Sequence, residues 1–116
     1  YTEKFSLCTT QGNLDDPAMR ARITAFARAM IEASRQLRVD PQPGWDLVAQ
    51  RTGLAPETIR DAWGYYQFPA TLAPDTLDFC TAIEPWIAAL AKRPARDRAA
   101  LAALMDDSVV KEARAG

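Results

Sequence analysis

DDPAMRARITAFARAMIEASRQLRV, residues 15–39, is the segment long and regular enough to act as a spine for the rest of the chain. Asp15 or Asp16 can accept from free N–H groups at a helix start, and Pro17 suits the first helical position, where a missing N–H costs nothing. Met19, Ile23, Phe26, Met30, Ala33 and Leu37 recur at alternating spacings of four and three, and Ala27 and Ile31 widen them to a full apolar face. That face is expected to be buried. Arg20, Arg22, Thr24, Arg28, Glu32, Arg35 and Gln36 fall on the opposite side, which is expected to be wet. Arg35 and Arg38 sit in the last turn, where the helix dipole favours cations. Val39-Asp40-Pro41 ends the helix, because the residue before a proline is pushed out of helical geometry. At about 1.5 Å per residue the rod is roughly 35 Å long.

The 116 residues, 48% apolar and 25% charged, suit one domain. Fourteen basic residues face fifteen acidic ones, and neither half of the chain forms a basic arm, so no general field recruits nucleic acid or anionic lipid. There is no histidine, which rules out the hydrolase triads and metalloprotease motifs built on it. Cys8 and Cys80 are too few and too far apart for a zinc site or a redox motif; two buried thiols or one disulfide remain open. The run Ile87, Ala88, Ala89, Leu90, Ala91 is far short of the about 20 residues a bilayer demands. The chain opens on Tyr1 with neither methionine nor secretion signal, and its natural start is therefore expected to lie elsewhere.

Before the spine, Tyr1, Phe5 and Leu7 share one parity and Lys4, Ser6 and Cys8 the other, which reads as a strand ending near Gln11-Gly12-Asn13. A lone strand leaves its backbone groups unpaired, and no later segment alternates at period two to receive it. Its partners are expected outside these residues. After the spine, Pro41 to Gly44 reads as a turn. Trp45, Val48 and Ala49 mark a short helix closed by Gly53. Leu54-Ala55-Pro56-Glu57-Thr58-Ile59 starts another, with a hydrophobic staple and a proline in the first turn. LAPDTL, residues 72–77, repeats the start grammar of LAPETI eighteen residues on. The helix it opens should carry Leu77, Cys80, Ile83, Ile87 and Leu90 inward, with a kink or break at Pro85. An alanine-rich helix is expected over residues 96–105, gripping through Leu101, Leu104 and Met105. Asp106-Asp107-Ser108 can cap a last turn over residues 109–113.

Residues 47–63 have the spacing of a helix-turn-helix corner, yet the second helix offers Glu57, Thr58 and Asp61 with Arg60 as its one cation, a surface that phosphates would repel. Trp45, Trp63, Tyr65, Tyr66, Phe68 and Trp86 could stack on a ligand, but their spacing favours core. Glu84 near Asp78, and Asp106 beside Asp107, could be offered as paired carboxylates; without a partner base or metal ligand, caps and solvated faces explain them better. No catalytic residue, metal site or cofactor is expected.

In this order the chain resembles the carboxy-terminal third of periplasmic solute-binding proteins of the nitrate, sulfonate and taurine type, which serve ATP-driven importers. Asp16-Pro17, Ala25-Phe26 and Ala33-Ser34 carry the likeness along the spine. Thr52-Gly53-Leu54-Ala55-Pro56-Glu57, Pro74-Asp75-Thr76-Leu77-Asp78, residues 84–87 and 104–110, and Glu112-Ala113 continue it. The resemblance implies a mainly α chain, with one N-terminal strand followed by about five to six helices, forming the carboxy-terminal part of a two-lobed α/β binding-protein fold. Residues 1–14 would be the hinge strand and residues 15–116 the helical cover. It implies capture of a small anionic or heteroaromatic solute rather than catalysis, a membrane permease as partner, and contact with the remaining lobes or a second copy through the strand. A periplasmic or extracytoplasmic location follows, with no nucleic-acid partner. By position just beyond the hinge, Thr10, Gln11 and Asn13 are the candidate solute contacts. The alternative is a self-contained helical interaction module using the corner at residues 47–63. Enzymes that make the pyrimidine precursor of thiamine resemble the same fold but depend on histidine.

Overall fold

The computed structural model describes residues 3–116, and among them every regular element is a helix: α1 (Gln11–Asp15), α2 (Pro17–Val39), α3 (Gln42–Thr52), α4 (Pro56–Trp63), α5 (Thr76–Leu90), α6 (Arg98–Ala102) and α7 (Ser108–Ala115). The expected N-terminal strand is not there, and neither is a sheet of any α/β fold. Residues 3–10 carry no regular structure, and the chain then turns into α1 instead of continuing extended. Tyr1 and Thr2, where that strand was to begin, lie outside the described residues. The physical reason is the one already visible in the pattern: a strand is defined by its ladder, and no second period-two segment supplies one. Thr10 takes over as the cap of α1, its Oγ1 accepting from the Asn13 N–H at 3.3 Å. The division at residue 14 therefore falls inside α1.

α2 has the ends its sequence announces. Asp16 accepts from the N–H groups of Ala18 and Met19 at 2.8 and 3.0 Å, Pro17 opens the first turn, and Asp40 closes the last. Its faces are used differently from expectation. The side bearing Arg20, Thr24 and Arg28 holds α7, whereas Phe26 on the apolar side is 53% exposed. Arg20 forks onto the Glu112 carboxylate and donates to Ser108 Oγ at 2.9 Å; Thr24 Oγ1 donates to Glu112 at 3.2 Å and Arg28 Nε to the Ala113 carbonyl at 3.4 Å. Ala27 and Ala113 are buried at the seam. Small residues let the two helices approach, and the charged fork fixes their register.

α3 starts at Gln42, so Pro41 to Gly44 is its first turn rather than a separate reversal. Gly44 is where α2, α3 and α4 meet: a Cβ there would stand 2.6 Å from Leu37 Cδ2 and 3.0 Å from Trp63 Cη2. Gly53 ends α3 at φ 72°, the left-handed geometry that glycine adopts without steric cost, and α4 follows with Ile59 buried. α4 stops at Trp63. Residues 64–75 then cross to α5. Arg38 donates to the Phe68 carbonyl and Arg114 to that of Ala70 at 3.3 Å, so the first half of this crossing is tied to the α2 and α7 ends.

α5 runs unbroken through Pro85, and its buried positions are Thr76, Glu84 and Ala88. The helix is therefore rotated from the expected setting: Leu90 and Ile87, assigned inward, are exposed, and so is Trp86 at 66%. A nonlocal pairing sets that rotation. Arg93, on the loop after the helix, folds back onto Glu84, and the Arg96 N–H donates to the same carboxylate at 2.8 Å. α6 is shorter than the alanine run, capped by Asp97 with Leu101 buried, and Leu104 is left exposed.

Candidate functional site

Thr10, Gln11 and Asn13 are brought together at the head of α1, but their polar heads are largely spent on near neighbours in the chain. Thr10 caps the helix. The Asn13 side chain donates to Thr9 Oγ1 at 3.1 Å, and Gln11 donates to Asp15 at 2.9 Å. Thr10 and Gln11 are exposed and Asn13 is partly covered. What the cluster offers a small anion is the uncapped N–H groups of the first turn and the second proton of each amide.

The carboxylate pairs do not assemble into acid–base machinery. The Arg93 guanidinium, helped by the Arg96 N–H, holds the Glu84 carboxyl down at about 2, so at neutral pH it is an anion with no proton to give. Asp78 faces Arg98 at 2.6 Å and Asp107 faces Lys111 at 2.9 Å. Asp106, one residue before the cap position of α7, accepts from the Ser108 N–H at 2.7 Å, and hydrogen bonding to Ser108 keeps its pKa below the ordinary value. Among the described residues no group of three or more His, Cys, Asp or Glu side chains could hold a metal ion. Cys8 and Cys80 are both free, so the disulfide alternative is not realised, and neither is the pair of buried thiols: Cys8 is exposed and Cys80 half-buried.

The concavity of the molecule lies elsewhere. A groove of about 630 Å³ opens between the end of α2 and the α3–α4 corner, floored by Leu37, Leu47, Val48, Ile59 and Trp63. One wall is aromatic, with Phe68 5.2 Å from Trp63 and 6.5 Å from Tyr66, and Trp45, outside the lining, meets Trp63 edge-on at 6.2 Å. Such pairs favour tilted and edge-on geometries because ring faces are negative and edges positive. Arg60 lies over Trp45, 5.5 Å from the ring centroid. The sequence assigned these residues to a core one by one; that they enclose a groove instead depends on the path of residues 64–69, which no local pattern records.

Comparison with known proteins finds no family model, no curated protein and no solved structure that matches this chain. Among the described residues no helix is long and apolar enough to cross a membrane.

Proposed function

We propose that this chain is a helical segment of an importer's solute-binding protein, completing its core against the rest of that protein outside the cytoplasm and delivering a nitrate-, sulfonate- or taurine-like solute to a membrane permease. The observation that carries the reading is surplus surface. A folded chain of 12.8 kDa exposes about 6,300 Å², whereas this one exposes 8818 Å². The excess of roughly 2,500 Å² on one side matches an obligate interface rather than a transient one. The Cα radius of gyration, 17.1 Å, is likewise above the about 13 Å of a compact domain of 116 residues. Phe5, Phe26, Trp86 and Leu90, all exposed, belong to the apolar part of that surplus. The motif order from Asp16-Pro17 to Glu112-Ala113 supplies the transport class, and Thr10, Gln11 and Asn13 supply polar groups at the edge where a solute would be met.

The test uses the protein produced from its native gene, titrated separately with nitrate, taurine and an aromatic sulfonate and followed by calorimetry. Micromolar binding of one of them, weakened at least tenfold in Asn13→Ala or Gln11→Ala, supports the reading. A protein that binds none of the three overturns it.

The second reading, an interaction module built on the α3–α4 corner, is favoured by the corner itself, with its left-handed Gly53 between two helices. As a DNA-binding surface it is poor, since Arg60, the cation of α4, already lies over Trp45. A gel shift with random duplex DNA at low salt separates the two: strongly salt-dependent retention would favour the module.

A further inference from the structure

α5 and α6 pack on each other, and no Cα of either comes within 8 Å of a Cα in any other helix. Two crossings join this pair to the remainder of the chain. The outgoing one is held by Arg38 and Arg114 as far as Ala70, whose φ of 45° marks a sharp bend; residues 71–72 make no hydrogen bond to the main body, and the Thr76 N–H already bonds back to the Ala73 carbonyl at 3.0 Å. On the return crossing, the N–H groups of Leu104 and Met105 still bond to α6, at 3.1 Å each, while Ser108 and Glu112 are already held by Arg20. The free stretch there is the Met105–Asp106 junction.

One polar contact among the described residues spans the gap. Lys4 Nζ stands 2.6 Å from the Asp75 carboxylate at the head of α5 and 5.9 Å from the centroid of the Phe79 ring. Nothing else anchors residues 3–10 so far from their own helix: Phe5, next to the lysine, is 85% exposed.

We propose that α5 and α6 form an arm turning on residues 71–72 and on the 105–106 junction, and that Lys4 is the latch holding it where the structure shows it. Two swivels on neighbouring strands of chain permit rotation without unfolding either body. A half-exposed ion pair with one cation–π contact biases such an equilibrium only about tenfold. The arm is therefore poised: modest competition for Lys4 or Asp75 releases it. Lys4 is a positioning residue, and the inference needs nothing from the solute-binding reading.

The test is pulsed EPR on the 116-residue chain, with Cys8 and Cys80 changed to serine and spin labels on cysteines introduced at the exposed positions Arg22 of α2 and Ala82 of α5. A second labelled pair, at Arg22 and Lys111, reports the main body alone. The latch predicts one narrow Arg22–Ala82 distance at low salt. In Lys4→Met and in Asp75→Asn the released population should rise roughly tenfold, no further in the double variant, and 1 M NaCl should act similarly on the parent chain. The Arg22–Lys111 distance should stay fixed throughout. An unchanged arm distance in both single variants overturns the proposal. So does a broad distribution in the parent, or a change in the control pair, which would mean loss of the whole fold.

Discussion

Lys92→Gly should stabilise the end of α5. The helix closes with the Arg93 N–H on the Ala88 carbonyl at 3.1 Å and the Lys92 N–H on that of Ala89 at 3.2 Å, the paired pattern whose left-handed position is ordinarily glycine. Lysine occupies it here, at φ 51°. A side chain in that region costs about 1–2 kcal/mol from contact between Cβ and the following carbonyl. Glycine removes the strain but returns about 0.4–1 kcal/mol through the greater freedom of the unfolded chain. The Lys92 side chain is exposed and makes no hydrogen bond, so nothing else is lost. The net gain is about 0.5–1 kcal/mol, a rise of roughly 2–5 °C in the melting of α5. Trp86, six residues upstream on the same helix, reports it by fluorescence in a urea or thermal titration. Lys92→Ala is the control, since alanine keeps the Cβ and should gain nothing. If glycine and alanine behave alike, or glycine lowers the midpoint, backbone strain at Lys92 is not what limits this helix.

Three further outcomes are expected. Asp16→Ala removes the acceptor for two N–H groups of α2 and should cost about 1 kcal/mol, read as a lower midpoint in far-ultraviolet circular dichroism. Glu84 is held near 2 in the fold against its ordinary 4.5, so the stability it contributes is full above about 4.5 and is lost as the pH falls toward 2. Hydrogen exchange across α5 and α6 should accelerate through that window, and Glu84→Gln should flatten the acid dependence there; an unchanged profile would mean the Arg93 pairing does not form in solution. Ile59→Ala should cost about 2 kcal/mol, the low end for such truncations, because the space it leaves opens into the groove rather than sealing as a cavity; a loss of 4 kcal/mol or more in denaturant titrations would mean the groove is closed in solution.

What could be read from the residues was whatever is settled within one turn of chain. Asp16-Pro17, Asp40-Pro41, Gly53 and Pro56 fix the ends of α2, α3 and α4 by capping and by forbidden geometry, and the helices stop where those signals stand. Thr10, Gln11 and Asn13 read as solute contacts by position beyond a strand, and the structure places them at the head of α1, where Thr10 is the cap. Pro41 to Gly44 and Pro85 mislead locally, suggesting a turn and a kink, but the larger failures are nonlocal. Alternation over the first residues was real as a pattern, but a ladder needs a second strand, and the helix cap at Thr10 won. The rotation of α5 hangs on Arg93 and Arg96 reaching back to Glu84, which an apolar count cannot weigh. The arginines of α2 read as a solvated face because their partners, Ser108, Glu112 and Ala113, lie at the other end of the chain.

That last separation bears on synthesis. The helix that clasps the charged side of the spine follows it in the chain, with four helices and two crossings to be translated between them. At ordinary elongation rates the arginine side waits on the order of ten seconds before Glu112 can reach it. During that interval Ala27 and the arginines beside it are open to any binder of nascent chains. Deletion of α7 should therefore produce a protein that never leaves that waiting state.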